Sequence, residues 1–316
     1  MEVLVTGGTG YIGLNLVYHL SETTDISVLV RDSSPTEWLP DGIDTFHGDV
    51  ADADSLAEIF EIVQPDAIAH LAAVHGRYNN SPDAQAGVDW EYMKRVNVEG
   101  TENLLACAEE YGVDSVTFTS TIKAHPRITK TEDADYIKSK ELADQLFVKT
   151  DWSFDYCIVH PTMVVGPRDY RLVHSQLFTI VNSNYALAPP LYVPKRLNVV
   201  PMHNVVQTIS HSLAEQNDGR YIVSGENIRM RTYLQQIADT VNGPCHIIPV
   251  PLGRQMLPSL IDLAASRGVI PVTSDQFNWK HRDVPKPFED QCPVDGISWR
   301  ETVNRTSAWY DQMDLL

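Results

Sequence analysis

The sequence predicts an α/β protein: a doubly wound parallel sheet with a smaller, interleaved C-terminal substrate-binding part. Three observations carry this prediction. Short β-branched apolar runs alternate with helix-spaced apolar patterns from Val3 to Val159, as repeated strand–helix–strand units require. The first apolar run meets Gly7, Gly8, Gly10 and Gly13 and resumes as a helix, so the first crossover opens with a tight turn. The chain has 316 residues, 43% hydrophobic and 21% charged, enough to bury a large core and carry a second part beyond the sheet.

Val3, Leu4 and Val5 form the first strand, and Ile12, Leu16, Val17 and Leu20 repeat at helical spacing after it. Gly7 permits the turn, Gly10 lets the backbone approach a pyrophosphate, and Gly13 lets helix and strand pack closely. The helix start, with Tyr11 and Ile12 in its first turn, offers N–H groups and a positive dipole end to phosphates. Strand before and helix after make this a dinucleotide-binding turn of the Rossmann type rather than a merely glycine-rich one.

At these residues the chain resembles a known family. Thr6–Gly13, TGGTGYIG, looks like the extended short-chain dehydrogenase/reductase superfamily, the NAD(P)-dependent epimerase/dehydratase group.

The second strand, Ile26–Val30, ends at Arg31-Asp32. In a dinucleotide fold a carboxylate at this tip binds the ribose 2′-hydroxyl, whereas an arginine binds a 2′-phosphate. Arg31 therefore predicts NADP as the preferred cofactor, with NAD as the alternative through Asp32 one residue on. Ile43–His47 is a third strand; in the family the Asp49-Val50 that follows contacts adenine. Asp54 or Ser55 caps a helix through Val63, ended by Pro65. The fourth strand, Ala67–Leu71, runs into Leu71-Ala72-Ala73, which resembles the family's small-residue turn under the pyrophosphate and ribose. Arg77–Asp89 reads as a loop near the substrate, and Trp90–Tyr111 as one long helix carrying Asn97. By the resemblance, Asn97 holds active-site backbone.

Val113–Thr119 is the fifth strand and ends in Ser120-Thr121. Tyr136 and Lys140 then stand four residues apart, so on a helix they share a face. A nearby ammonium lowers a phenol's pKa, and the same lysine can bond the nicotinamide ribose. Tyr136 is the expected general acid/base while hydride moves at the nicotinamide. Thr121 matches the family's hydroxyl on the same substrate oxygen, with Ser120 its rival by one position. The Thr121–Tyr136 segment is short for a sugar-nucleotide enzyme.

Phe154–Val159 is the sixth strand, followed by His160-Pro161-Thr162-Met163 and Gly166-Pro167-Arg168. This resembles the family's Arg-Pro-Thr-Asn-x-x-Gly-Pro, and the resemblance puts Pro161 and Met163 at the cofactor. His160 stands for the Arg, and Met163 for an Asn that contacts the diphosphate of sugar nucleotides; a thioether donates nothing to phosphate. Helices are expected near Val173–Val181, Arg231–Val241, Leu257–Arg267 and Trp299–Met313, and Asn204 can cap the helix after Leu197–Met202. Tyr221–Ile228 resembles dihydroflavonol-reductase-like members. The expected division is residues 1–170, with 197–224 returning, as the dinucleotide-binding domain, and 171–196 with 225–316 as the substrate part.

A net charge of −18 argues against nucleic acid or anionic membrane as partners. Cys107, Cys157, Cys245 and Cys292 lack metal-ligand spacing, so no metal is expected. The first strand begins by residue 3 and no apolar run reaches spanning length, so the expectation is a soluble, cytoplasmic protein. The resemblance adds a possible homodimer through the helices holding Asn97 and Tyr136. The functional expectation is an NAD(P)-dependent oxidoreductase moving hydride between nicotinamide and a carbonyl/alcohol small-molecule substrate. A nucleotide-sugar epimerase/dehydratase with retained cofactor is the first alternative, and a non-catalytic dinucleotide sensor the second.

Overall fold

The fold is organised about two central strands, β1 (Glu2–Thr6) and β4 (Ala67–His70), in a seven-stranded sheet of order β3-β2-β1-β4-β5-β6-β9. All its pairings are parallel. The computed structural model describes residues 1–75, 88–128, 135–170, 178, 196–215, 219–241, 263, 266–267 and 296–315. Val3, Leu4 and Val5 are fully buried, as in a parallel strand covered on both faces. Strand order runs outward in one direction from β1 and in the other from β4. Ligands of such open sheets bind at this reversal, beyond the carboxyl ends of the strands.

From β1 the chain continues through α1 (Tyr11–Leu20), β2 (Asp25–Val30), β3 (Asp44–His47) and α2 (Ala53–Val63) to β4. The cap of α2 is neither Asp54 nor Ser55 but Asp52, whose carboxylate accepts from Ser55 N at 3.2 Å. The Ser55 hydroxyl instead accepts from Asp49 N at 3.3 Å. The expected long helix is three pieces: α3 (Trp90–Lys94), a π-turn over Arg95–Glu99, and α4 (Gly100–Glu110). The wide turn sets Asn97 inward, and Gly100 follows it where an added Cβ would lie 2.8 Å from Val50. Strands β5 (Ser115–Thr119) and β6 (Asp155–Pro161) flank α5 (Asp135–Lys149). β6 runs two residues beyond the expected Val159 because His160 and Pro161 still pair with Ile222 and Val223. Cys107 and Cys157 are buried core residues.

The chain divides into two compact units: 1–162 with 202–224 and 287–296, and 163–201 with 225–286 and 297–316. In the first, α6 (Met202–Glu215) packs on α1 before β9 (Gly219–Val223) closes the sheet. The helix starts at Met202, so Asn204 lies in its first turn rather than at its cap.

In the second unit, β7 (Met163–Val165), β8 (Arg196–Pro201) and β10 (Glu226–Arg229) form a three-stranded sheet of order β10-β8-β7. Residues 197–201 therefore pair here, and the return to the first unit is at Met202 rather than 197. Helices α7 (Met230–Thr240) and α8 (Trp299–Gln312) bury Tyr233, Trp299 and Tyr310 with Phe178 in its core. Most of the expected Arg77–Asp89 loop and of the Val173–Val181 and Leu257–Arg267 helices lies outside the described residues.

A Cβ on Gly13 would collide with the Gly7 carbonyl, whereas one on Gly10 would approach only that oxygen, at 3.1 Å. Gly13→Ala should therefore cost about 1–3 kcal/mol in urea unfolding, the range of overpacking substitutions, and Gly10→Ala clearly less. Equal losses would show that the β1–α1 turn yields as a whole.

Candidate active site

The turns after β1 and β4 meet backbone to backbone. Gly7 has φ +72°, and an added Cβ would lie 2.6 Å from Ala72 N, with Leu71 C and O close behind. Leu71 N donates to Thr6 O at 3.0 Å, and Ala72 N to Thr6 Oγ1 at 3.3 Å. Below them His70 is fully buried. Its Nδ1 lies 2.7 Å from Thr6 Oγ1 and its Nε2 3.0 Å from Thr101 Oγ1, which itself donates to Asn97 O at 2.8 Å. Because Thr101 spends its proton on Asn97, His70 Nε2 is the donor and Nδ1 accepts from Thr6. Every polar atom of this chain is satisfied by a neutral imidazole. Burial first, and the charge of Lys140 second, hold the His70 pKa down to about 3.

Asn97 pins the chain just past the β4 turn. Its Oδ1 accepts from Val74 N at 2.7 Å, and its Nδ2 donates to Val74 O at 3.0 Å and Ser139 Oγ at 2.9 Å. Ser139 in turn donates to Tyr136 O at 2.8 Å, so one amide joins the β4 turn to the start of α5. Tyr136 is half-buried, its ring 4.1 Å centroid to centroid from His75. Lys140, one turn on, is buried; its Nζ donates to Thr119 O at 2.8 Å and lies 4.4 Å from the Phe118 ring centre.

The sequence led us to expect a phenol lowered by this ammonium. Instead, burial and the negative charge of Asp144 push Tyr136 up to about 12. Lys140 is itself brought down to about 8 by burial, against an opposing pull from Asp144. The ammonium is turned to the Thr119 carbonyl and the Phe118 face, and desolvation outweighs helical proximity. At the end of β5, Ser120 is buried and its hydroxyl has no partner among the described residues. Thr121 is half-buried, and its Oγ1 accepts from Lys123 N at 3.4 Å.

At the same carboxyl ends of β1 and β2, Gly10 is exposed, and Tyr11 and Ile12 are half-buried at the start of α1. Asp49 Oδ1 accepts from Ala51 N at 3.0 Å, and Val50 is core, its carbonyl accepting from Asn103 Nδ2 at 3.1 Å. Arg31 is exposed at the tip of β2, with Nη1 3.4 Å from Tyr92 OH. Arg95 stands over the same Tyr92 ring at 5.4 Å. Asp32 pairs with His47 at 3.0 Å, both exposed. Ala73 is exposed and Leu71 and Ala72 half-buried.

Two expected residues stand elsewhere. Pro161 is buried in β6, and Met163 belongs to the second unit, packed against that unit's core. His160 is fully buried and bonds Asp144 Oδ2 at 2.8 Å. Its exchange for Arg is therefore a matter of interior pairing, and it loses its weight against a diphosphate. Tyr92, Arg95, Ser139 and Asp144 were missed in the sequence. Only Asp144 had a local signal, at i+8 from Tyr136 on one helical face.

A parallel sheet with a glycine turn at its switch point defines a Rossmann-like dinucleotide-binding fold. Residues 3–200 match the NAD dependent epimerase/dehydratase family, and the chain belongs to it. A Synechocystis sp. protein bearing the name dihydroflavonol 4-reductase is 30% identical over 97% of this chain and 86% of its own. The UDP-glucose 4-epimerase of Vibrio cholerae is 28% identical over 79% of each. The crystal structure of Bordetella bronchiseptica WbmG in complex with NAD superposes with a TM-score of 0.71 at 21% identity, covering 100% of this chain and 96% of that one. Reductase and epimerase names occur together, so membership specifies an NAD-type dinucleotide and a small-molecule substrate but not the reaction. Among the described residues no helix is long and apolar enough to cross a membrane.

His70 and His125 make stability acid-sensitive. Both folded pKa values lie below the ordinary 6.5, at about 3 and about 4, chiefly through burial. Below pH 6.5 the unfolded chain takes protons that the folded chain refuses. Stability is therefore full above that pH and is lost as pH falls toward 4, by up to about 1.4 kcal/mol per pH unit per histidine. Urea unfolding from pH 7 to 4 should show this slope, and His70→Gln should roughly halve it. An unchanged slope would mean that His70 is not the group excluded from protonation.

Proposed function

We propose that the protein is an NADP(H)-preferring reductase of a carbonyl substrate, with Tyr136 as the proton donor. The observation that carries this reading is the pairing of a protonated phenol with a buried ammonium one turn away on α5, beside the end of β5. A phenol pushed up to about 12 keeps its proton throughout the neutral range, as proton delivery to a carbonyl oxygen in the reductive direction requires. Thr121 adds a hydroxyl to the same oxygen, because Ser120 is closed off in the interior. Lys140 holds the nicotinamide ribose and stabilises charge on Tyr136. Asn97, through Val74 and Ser139, keeps the β4 turn and α5 in register.

The residues present fit the dinucleotide. Gly10 is exposed and carries no side chain, and the Gly7 turn and Leu71–Ala73 present backbone rather than bulk. Gly10 and the α1 start, with Tyr11 and Ile12, receive the pyrophosphate, and Asp49 and Val50 border the adenine. When bound, the cofactor supplies the hydride. Arg31 supports NADPH over NADH: Tyr92 takes Arg31 on its hydroxyl and Arg95 over its ring, while Asp32 is engaged by His47. Guanidinium groups suit a 2′-phosphate. We assign the substrate part to the second unit, and Met163, without a donor, disfavours a sugar diphosphate there. The protein acts in the cytoplasm as a homodimer on this reading.

The test is NADPH consumption against a panel of carbonyl compounds, with UDP-sugars assayed in parallel for epimers. Tyr136→Phe should retain cofactor affinity and lose at least ~10²-fold in turnover. Near-normal turnover of the variant, or epimer formation without net NADPH consumption, would remove the reductase assignment.

Arg31→Asp should reverse the cofactor preference in fluorescence titrations with NADPH and NADH, since a carboxylate binds the 2′-hydroxyl and repels the 2′-phosphate. If the wild type already binds NADH more tightly, Asp32 is the ribose ligand.

A further inference from the structure

Behind Lys140 lies a buried polar cluster that no step above uses. Asp144 follows Tyr136 and Lys140 at successive turns of α5, so the three side chains share one helical face. Asp144 is 3% exposed, and its Oδ2 lies 2.8 Å from Nε2 of His160, which is fully buried at the end of β6. Asp144 Oδ1 and His160 Nδ1 have no partner among the described residues. The His125 ring stands edge-on to His160 at 4.8 Å, with its own Nδ1 accepting from Arg127 N at 3.2 Å. Arg220 on β9, whose charge bears on His125, has a buried Nε without a partner among the described residues.

A carboxylate this deep is costly unless nearby positive charge offsets it. The groups facing it are His160 from β6, His125 from the segment after β5, and Lys140 and Tyr136 from its own helix, while Arg220 and Arg127 bear on His125. Its field opposes the effect of burial on Lys140 and adds to it on Tyr136. The charge of Lys140 also bears on His70, which is neutral.

We propose that Asp144, braced by His160, is a positioning residue that keeps the Lys140 ammonium charged and thereby sets the pH range over which Tyr136 delivers its proton. The proposal rests on the roles of Tyr136 and Lys140 given above. His160 holds the carboxylate on the α5 face, and the carboxylate retains the proton that burial would strip from Lys140. Without Asp144 the lysine has lost its anion while its low-polarity surroundings remain.

The decisive variants are Asp144→Asn, nearly isosteric and uncharged, and Asp144→Glu, which keeps the charge. NMR titration of ligand-free protein labelled with ¹³C at the lysine ε-carbon reads Lys140 directly, its signal identified by loss in Lys140→Met. Wild type should titrate near pH 8. Asp144→Asn should titrate lower by on the order of one pH unit, with Asp144→Glu restoring the wild-type midpoint. The alkaline limb of kcat should move with it. A Lys140 midpoint unmoved in Asp144→Asn overturns the proposal, even if activity falls, because a merely structural aspartate lowers turnover without shifting that titration. A moved midpoint with an unmoved rate profile supports the coupling and locates the failure in the catalytic reading of Lys140. Should Asp144→Asn fail to fold, wild-type protein labelled with ¹³C at the aspartate carboxyl decides the matter. An Asp144 signal that is protonated at pH 7 overturns the proposal, and an ionised one sustains it.

Discussion

At the switch point of the sheet, the peptide between Leu71 and Ala72 occupies the space a side chain on Gly7 would need, and this contact sets the separation of the two central turns. Close approach lets Thr6 receive Ala72 N on its hydroxyl oxygen while donating to His70. It also brings His70 within reach of Thr101 on α4. The glycine turn, the small-residue turn and the π-turn that holds Asn97 are therefore one hydrogen-bonded assembly. A side chain at Gly7 would have to part the turns and so loosen all three.

The second organising element is a single buried cation. Lys140 bonds the Thr119 carbonyl and covers the Phe118 ring, whose neighbours are His70 and Phe147. Its charge helps keep His70 neutral, and Asp144 helps keep Lys140 charged.

The doubly wound parallel sheet, the glycine turn and the helix that Tyr136 and Lys140 share were legible in the sequence. Each rests on local periodicity: alternating strand and helix patterns, glycines where backbone conformation is special, and a spacing of four on a helix. Boundaries were less legible. β6 lengthened because β9 was there to pair with His160 and Pro161, and α2 took Asp52 rather than Asp54 or Ser55 as its cap because Ser55 was drawn to Asp49.

What the sequence determined by itself, then, is the alternation of strands and helices through the first unit and the residue types offered at the ends of β1, β4 and β5. Which groups carry charge there was decided by the tertiary structure. His70 meets Thr6 across 64 residues, and His160 meets Asp144 across 16. The phenol that helical spacing suggested would be lowered is raised instead by burial. Periodicity is a property of neighbours along the chain. Desolvation and charge pairing are properties of neighbours in space, and only the packed sheet and helices create those.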